Sequence, residues 1–159
     1  MNPVVFYGAC PEKQEHDAAY RLLEIAVSES CGIPSLPEIR RSETGKPFFP
    51  RYPSIHFNLS HSLGGILCGI HDAPLGVDIE RLRTAPAHLR GDLTDAEFFL
   101  QWTWKEATIK QRGLGLAALL SPVELSPLCV HSTTHFPPYL LAVCPSYAAE
   151  ICWVRHNLL

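Results

Sequence analysis

The chain has 159 residues, enough for one well-buried core or for two small halves that share one. Its apolar fraction of 47% is ordinary for a soluble globular protein, and no apolar run approaches the ~18 residues of a membrane helix. A net charge of −3 argues against general nucleic-acid binding, and an N-terminus that soon reaches Glu12 and Glu15 does not read as a secretory signal, so a cytoplasmic protein is expected.

In chain order, Val4 to Tyr7 is a short apolar run that predicts a strand. From about Glu15 to Ser30, apolar residues recur at Ala18, Ala19, Leu22, Leu23, Ala26 and Val27. That spacing predicts a helix with one core-facing stripe, ended by Gly32 and Pro34. Residues 34–54 are rich in Pro and polar groups and read as a loop that carries Arg40, Arg41, Lys46 and Arg51. Ile55 to Ser62 alternates apolar and polar, so a strand there turns His56, Asn58 and Ser60 to one face. The apolar runs Gly65 to Ile70 and Leu75 to Ile79, separated by His71-Asp72-Ala73-Pro74, predict a hairpin. Asp78 and Glu80 fall on one face of its last strand.

After a basic connection with Arg81, Arg83 and Arg90, Thr94-Asp95-Ala96-Glu97 fits a capping box at a helix start. Gly113 and Gly115 supply the permissive backbone where that helix stops. Trp102, Glu106 and Lys110 recur every four residues along one face of it. Beyond it, Pro122 to Leu128, Tyr139 to Val143 and Ala149 to Val154 read as strands of a C-terminal sheet. The six cysteines include no C-x-x-C pair and read as reduced thiols, four of them in apolar surroundings. His131 and His135 lie in a Ser/Thr/Pro-rich loop and do not read as a metal site.

Two carboxylates on a strand and one on a helix form an oxygen-ligand set suited to Mg²⁺, an ion that usually completes its shell with substrate phosphates. The basic clusters around Lys46, Arg83, Lys105 and Lys110 then read as phosphate contacts. His61 is placed at a polar strand end to meet a phosphate or carry a proton. These residues point to a magnesium-dependent reaction on a polyphosphate ester.

Four motifs occur in order across residues 45–116: Gly45-Lys46-Pro47; Asn58-Leu59-Ser60-His61; Gly76-Val77-Asp78-Ile79-Glu80; and Trp102-Thr103-Trp104-Lys105-Glu106-Ala107 with Lys110. Together they resemble the 4′-phosphopantetheinyl transferase superfamily, in a shortened version of its surfactin-activator type. The resemblance implies an α+β fold of two similar halves related by a pseudo-twofold axis, here residues 1–75 and 76–159, with coenzyme A in the cleft between them. It implies that Asp78, Glu80 and Glu106 hold Mg²⁺, and that Glu106 is the base for a serine hydroxyl of an apo acyl or peptidyl carrier protein. Lys110 would stabilise the departing 3′,5′-ADP; Lys46, Ser60 and His61 would hold the 3′-phosphate and adenosine end, with Lys105 adding charge nearby. A monomer is expected. Two other readings stay open: a degenerate homologue that binds coenzyme A or a carrier protein without transfer, and a magnesium-dependent phosphohydrolase.

Overall fold

Strand β1 (Val4–Ala9) crosses the middle of a four-stranded sheet in the computed structural model, which describes residues 1–158. On one side it pairs antiparallel with β5 (Gly65–His71), which pairs in turn with β4 (His56–Ser62). On the other side it pairs in parallel with β9 (Cys152–Arg155). Helix α1 (Glu15–Cys31) covers one face of this sheet, and every residue of its predicted apolar stripe is buried. Leu22, Leu23, Ala26 and Val27 pack there with Phe6, Ile66, Cys68 and Ile70, while Phe49 stacks on Phe57 at 4.4 Å. Burying each large apolar side chain stabilises the fold by roughly 1.5–3 kcal/mol.

The loop between α1 and β4 contains two short pieces, β2 (Arg40–Arg41) and β3 (Pro47–Phe48), which pair with each other. A second sheet holds β6 (Gly76–Arg81), β8 (Tyr139–Cys144) and β7 (Val130–Ser132), with β8 in the centre. Its inner face supplies Val77, Ile79, Leu141 and Val143 to a core shared with Val5, Tyr7 and Leu67 of the first sheet. A short helix α2 (Ala87–Arg90) precedes α3 (Asp95–Arg112), which packs on the outer face against Leu140, Ala142 and Cys144. A 3-10 turn at Leu116–Leu120 follows α3. The mixture of helices and mostly antiparallel strands agrees with the α+β class.

Three strand expectations are corrected. The hairpin is β4–β5, not β5–β6, since β6 leaves for the second sheet after the turn at Pro74. Its alternating apolar residues, Val77 and Ile79, are buried against β8 and the shared core, which a two-stranded ribbon with β5 would not supply. Pro122 to Leu128 is not a strand; β7 begins later, at Val130. The last strand does not join the C-terminal sheet: β9 returns to the first sheet, where β1 has a free edge and the backbone of residues 152–155 satisfies it.

Candidate active site

Helix α3 starts as its sequence demands. Thr94 Oγ1 accepts from the Glu97 N–H at 3.2 Å, and Glu97 Oε2 accepts from the Thr94 N–H at 2.8 Å. Gly113 closes the helix at φ 66°, a left-handed conformation that glycine adopts without a Cβ clash. The register between these caps points Glu106 and Lys110 at β6. The helix comes very close there: a Cβ on Gly76 would stand 1.9 Å from the Ala107 carbonyl oxygen, so only glycine fits the start of that strand.

The polar face of β4 joins the two sheets. Asn58 Oδ1 accepts from the Val77 N–H at 2.8 Å, Ser60 Oγ from the Ile79 N–H at 3.3 Å, and Ser62 Oγ from the Arg81 N–H at 3.2 Å. The alternation seen in the sequence is therefore a seam of side chains that satisfies one edge of β6. Asn58 and Ser60 are buried in it.

Lys110 is the centre of the site. Its ammonium donates to Asp78 Oδ1 at 2.8 Å, to the Val77 carbonyl at 3.1 Å and to Ser60 Oγ at 3.3 Å, and lies 3.3 Å from Glu106 Oε2. Burial would lower its pKa, but Asp78 and Glu106 outweigh burial and hold it above the ordinary lysine value. Asp78 Oδ1 also accepts from the Ser60 hydroxyl at 2.8 Å, while its other oxygen, Oδ2, is buried without a partner. Burial is the main influence on Asp78 and pushes its pKa up to about 7; Lys110 pulls it down and Glu106 adds to the rise.

Lys46 reaches the site from the β2–β3 turn. Its ammonium donates to the carbonyls of Lys110 at 2.6 Å, Leu75 at 3.2 Å and Gln111 at 3.3 Å. It therefore caps the C-terminal end of α3, where the helix dipole favours a cation. Burial lowers its pKa to about 8. Lys46, His61 and Lys110 line one cavity of about 460 Å³, together with Arg41, His16 and Tyr20.

The remaining predicted residues stand apart from that cavity. Glu80 accepts from Ser62 Oγ at 2.9 Å and from Arg83 Nη1 at 2.8 Å. Lys105 donates to the Leu119 carbonyl at 2.8 Å and holds the 3-10 turn. The basic clusters do not converge: Arg40 pairs with Glu38, Arg81 with Glu12, and Arg90 with Asp95. Among the described residues no three Asp, Glu, His or Cys side chains are gathered as a metal cage. The unpartnered Asp78 Oδ2, with Glu106 facing the same lysine, nonetheless fits a hard cation that takes oxygen ligands. Sequence reasoning missed His16 and Tyr20 as cavity residues, whereas Arg41 belongs to the basic cluster with Lys46 that was read as phosphate contacts. His16 and Tyr20 are four apart on α1, with rings 5.1 Å apart, and that spacing was the available signal.

Fold and site together define a class: an α+β protein in which a charged cavity lies between α1, the β2–β3 turn, β4 and the C-terminal end of α3. No family model matches the chain. Curated proteins do. A 4′-phosphopantetheinyl transferase of Bacillus subtilis is 32% identical over 113 residues, covering 60% of this chain and 50% of that protein. The 4′-phosphopantetheinyl transferase Sfp of Bacillus subtilis (strain 168) is 28% identical over 151 residues, 72% of this chain and 67% of that one. The 4′-phosphopantetheinyl transferase AcpT of Salmonella typhi is 30% identical over 135 residues, 72% of this chain and 70% of that one. The chain belongs to the 4′-phosphopantetheinyl transferase family. It spans half to about two thirds of the length of the first relatives it matches.

Proposed function

We propose that this chain transfers the 4′-phosphopantetheine group of coenzyme A to a serine of an apo acyl or peptidyl carrier protein. The observation that carries the proposal is the convergence of Lys46, His61 and Lys110 on one cavity, with Asp78 and Glu106 at the Lys110 ammonium. Coenzyme A lies in that cavity, its 3′-phosphate and adenosine end toward Lys46 and His61, with Ser60 holding Asp78 from behind. Asp78, Glu80 and Glu106 would hold a magnesium ion, which when bound neutralises diphosphate oxygens.

Glu106 takes the proton of the carrier serine as its oxygen attacks the phosphorus bonded to pantetheine. The bond to the second phosphate breaks, and 3′,5′-ADP leaves with the electron pair. The Lys110 ammonium, kept protonated by its two carboxylates, stabilises that anion as charge develops. Lys105 supports the site through the turn it holds.

We also read the chain as a monomer of two halves, residues 1–75 and 76–159, related by a pseudo-twofold axis. Each half sets one long helix against antiparallel strands, α1 on β4 and β5, α3 on β6 and β8, which supports that reading. A second reading, binding without transfer, is favoured by the pairing of Glu80 with Arg83.

Incubation with coenzyme A, Mg²⁺ and an apo-carrier protein, followed by intact mass of the carrier, separates them. A gain of phosphopantetheine supports transfer. An unchanged carrier with measurable coenzyme A binding supports the second reading and removes the first, and hydrolysed coenzyme A would indicate a phosphohydrolase.

A further inference from the structure

Against α3, beside Ala107, lie two thiols that the proposed transfer does not use. The antiparallel register pairs Val130 with Val143, so the next positions outward, Cys129 and Cys144, stand opposite each other at the end of the β7–β8 ladder. Directly opposed residues in such a ladder have Cα atoms about 4.5–5.5 Å apart, inside the span that a disulfide bridges. The two side chains pack in one small cluster with Ala107 of α3 and Ala142 of β8. Cys144 is buried and Cys129 only partly so, which makes Cys129 the more accessible of the two sulfurs to a small oxidant.

The chemistry of the pair suits oxidation. The Cys129 sulfur lies 3.9 Å from His131 Nε2. The neighbouring Cys129 thiol and the Ser126 and Thr108 hydroxyls favour the Cys144 thiolate and bring its pKa down to about 6 against the opposing effect of burial. The other four cysteines have no cysteine opposite them. Cys10 and Cys31 flank α1, Cys68 faces Phe6 and Leu59 in the strand registers, and Cys152 pairs with Val4.

We propose that Cys129 and Cys144 are a redox-modification site, which closes to a disulfide on exposure to a peroxide-class oxidant and reopens with a thiol reductant. One sulfur attacks a peroxide oxygen, the O–O bond breaks, and the sulfur becomes a sulfenic acid as the first water leaves. The second sulfur displaces the sulfenic oxygen and gives up its own proton, so the bridge forms with release of a second water. Two thiols are oxidised and one peroxide is reduced. The bridge fastens the edge strand β7 to β8 against the helix that carries Glu106 and Lys110.

The test uses the reduced full chain, treated with limiting hydrogen peroxide and then unfolded in excess N-ethylmaleimide. The expected product is lighter by two hydrogens before labelling and takes two fewer maleimide groups than the reduced chain. Its non-reducing peptide map links Cys129 to Cys144, and dithiothreitol restores both labels. In Cys129→Ser the linked product disappears, and Cys144 is trapped by a sulfenic-acid probe. The wild-type map stands without the variant, should that substitution impair folding. A chain that keeps every label, or a bridge joining any other pair, overturns the proposal.

Discussion

At the scale of single residues, the site is a competition for two lysines. Lys110 holds two carboxylates, while Lys46 spends its donors on three backbone carbonyls and contributes its charge to the cavity from that anchor. Were Glu106 and Lys110 only a helix salt bridge, Glu106→Gln would cost about 0.3–0.5 kcal/mol and leave activity intact. As the catalytic base, Glu106→Gln should fold normally and lose about 10²–10⁴-fold in single-turnover transfer to a carrier serine. Wild-type rate at saturating Mg²⁺ would remove that role. Asp78→Asn should show chiefly a raised Mg²⁺ requirement, partly restored by excess metal. The Lys46 prediction concerns pH. With its pKa lowered to about 8, Lys46 is charged below that value and loses its charge as pH rises through it. Affinity for adenosine 3′,5′-bisphosphate, measured by calorimetry, should therefore decline across that range. Lys46→Met should bind more weakly with no such decline; identical pH profiles for the two proteins would mean that the ligand does not sense Lys46.

At the scale of elements, α3 and β6 are the pair whose fit sets the site. Their contact depends on Gly76, where a side chain has no room against the Ala107 carbonyl. Gly76→Ala should destabilise the fold by about 3 kcal/mol or more, since the obstacle is helix backbone and cannot swing away. Urea unfolding checks this, and a midpoint within error of the parent would show that the helix can shift. Thr94→Ala removes one half of the capping box and should cost about 1 kcal/mol with no change in ligand affinity. The contrast is informative because both substitutions act on one helix. The cap sets where α3 begins, and Gly76 sets how near Glu106 and Lys110 come to Asp78.

At the scale of the molecule, the last strand ties the end of the chain to its beginning. β9 runs parallel to β1, and Trp153 stacks on His135 at 4.6 Å and meets Tyr7 edge-on at 6.5 Å. Deleting residues 149–159 would bare the edge of β1 and remove ladder hydrogen bonds worth roughly 0.5–1.5 kcal/mol each. The shortened chain should melt well below the parent and elute as larger species in size-exclusion chromatography. A monomer with the parent's melting midpoint would show that β9 is dispensable. No helix among the described residues is long and apolar enough to cross a membrane.

Much of this was legible from local signals. The caps of α3, the buried stripe of α1 and the placement of Asp78 and Glu80 on one strand each depend on residues within a few positions of one another. Caps, helical periodicity and strand alternation are short-range effects, so a linear reading captures them. Strand partnership was not legible, because it is decided by which distant segment can bury a face or satisfy an edge. The run at β6 reads equally well beside β5 or β8, and only the shared core with Leu141 and Val143 selects β8. The alternating face of β4 could equally have met solvent; the unpaired N–H groups of Val77, Ile79 and Arg81 gave Asn58, Ser60 and Ser62 their partners. Sequence by itself determined which charged residues this chain carries and on which elements they sit. Tertiary structure alone decided that Lys110 stands between Asp78 and Glu106 while Lys46 turns to the end of α3, because a long side chain's partner depends on what folding brings within a few ångströms of its tip.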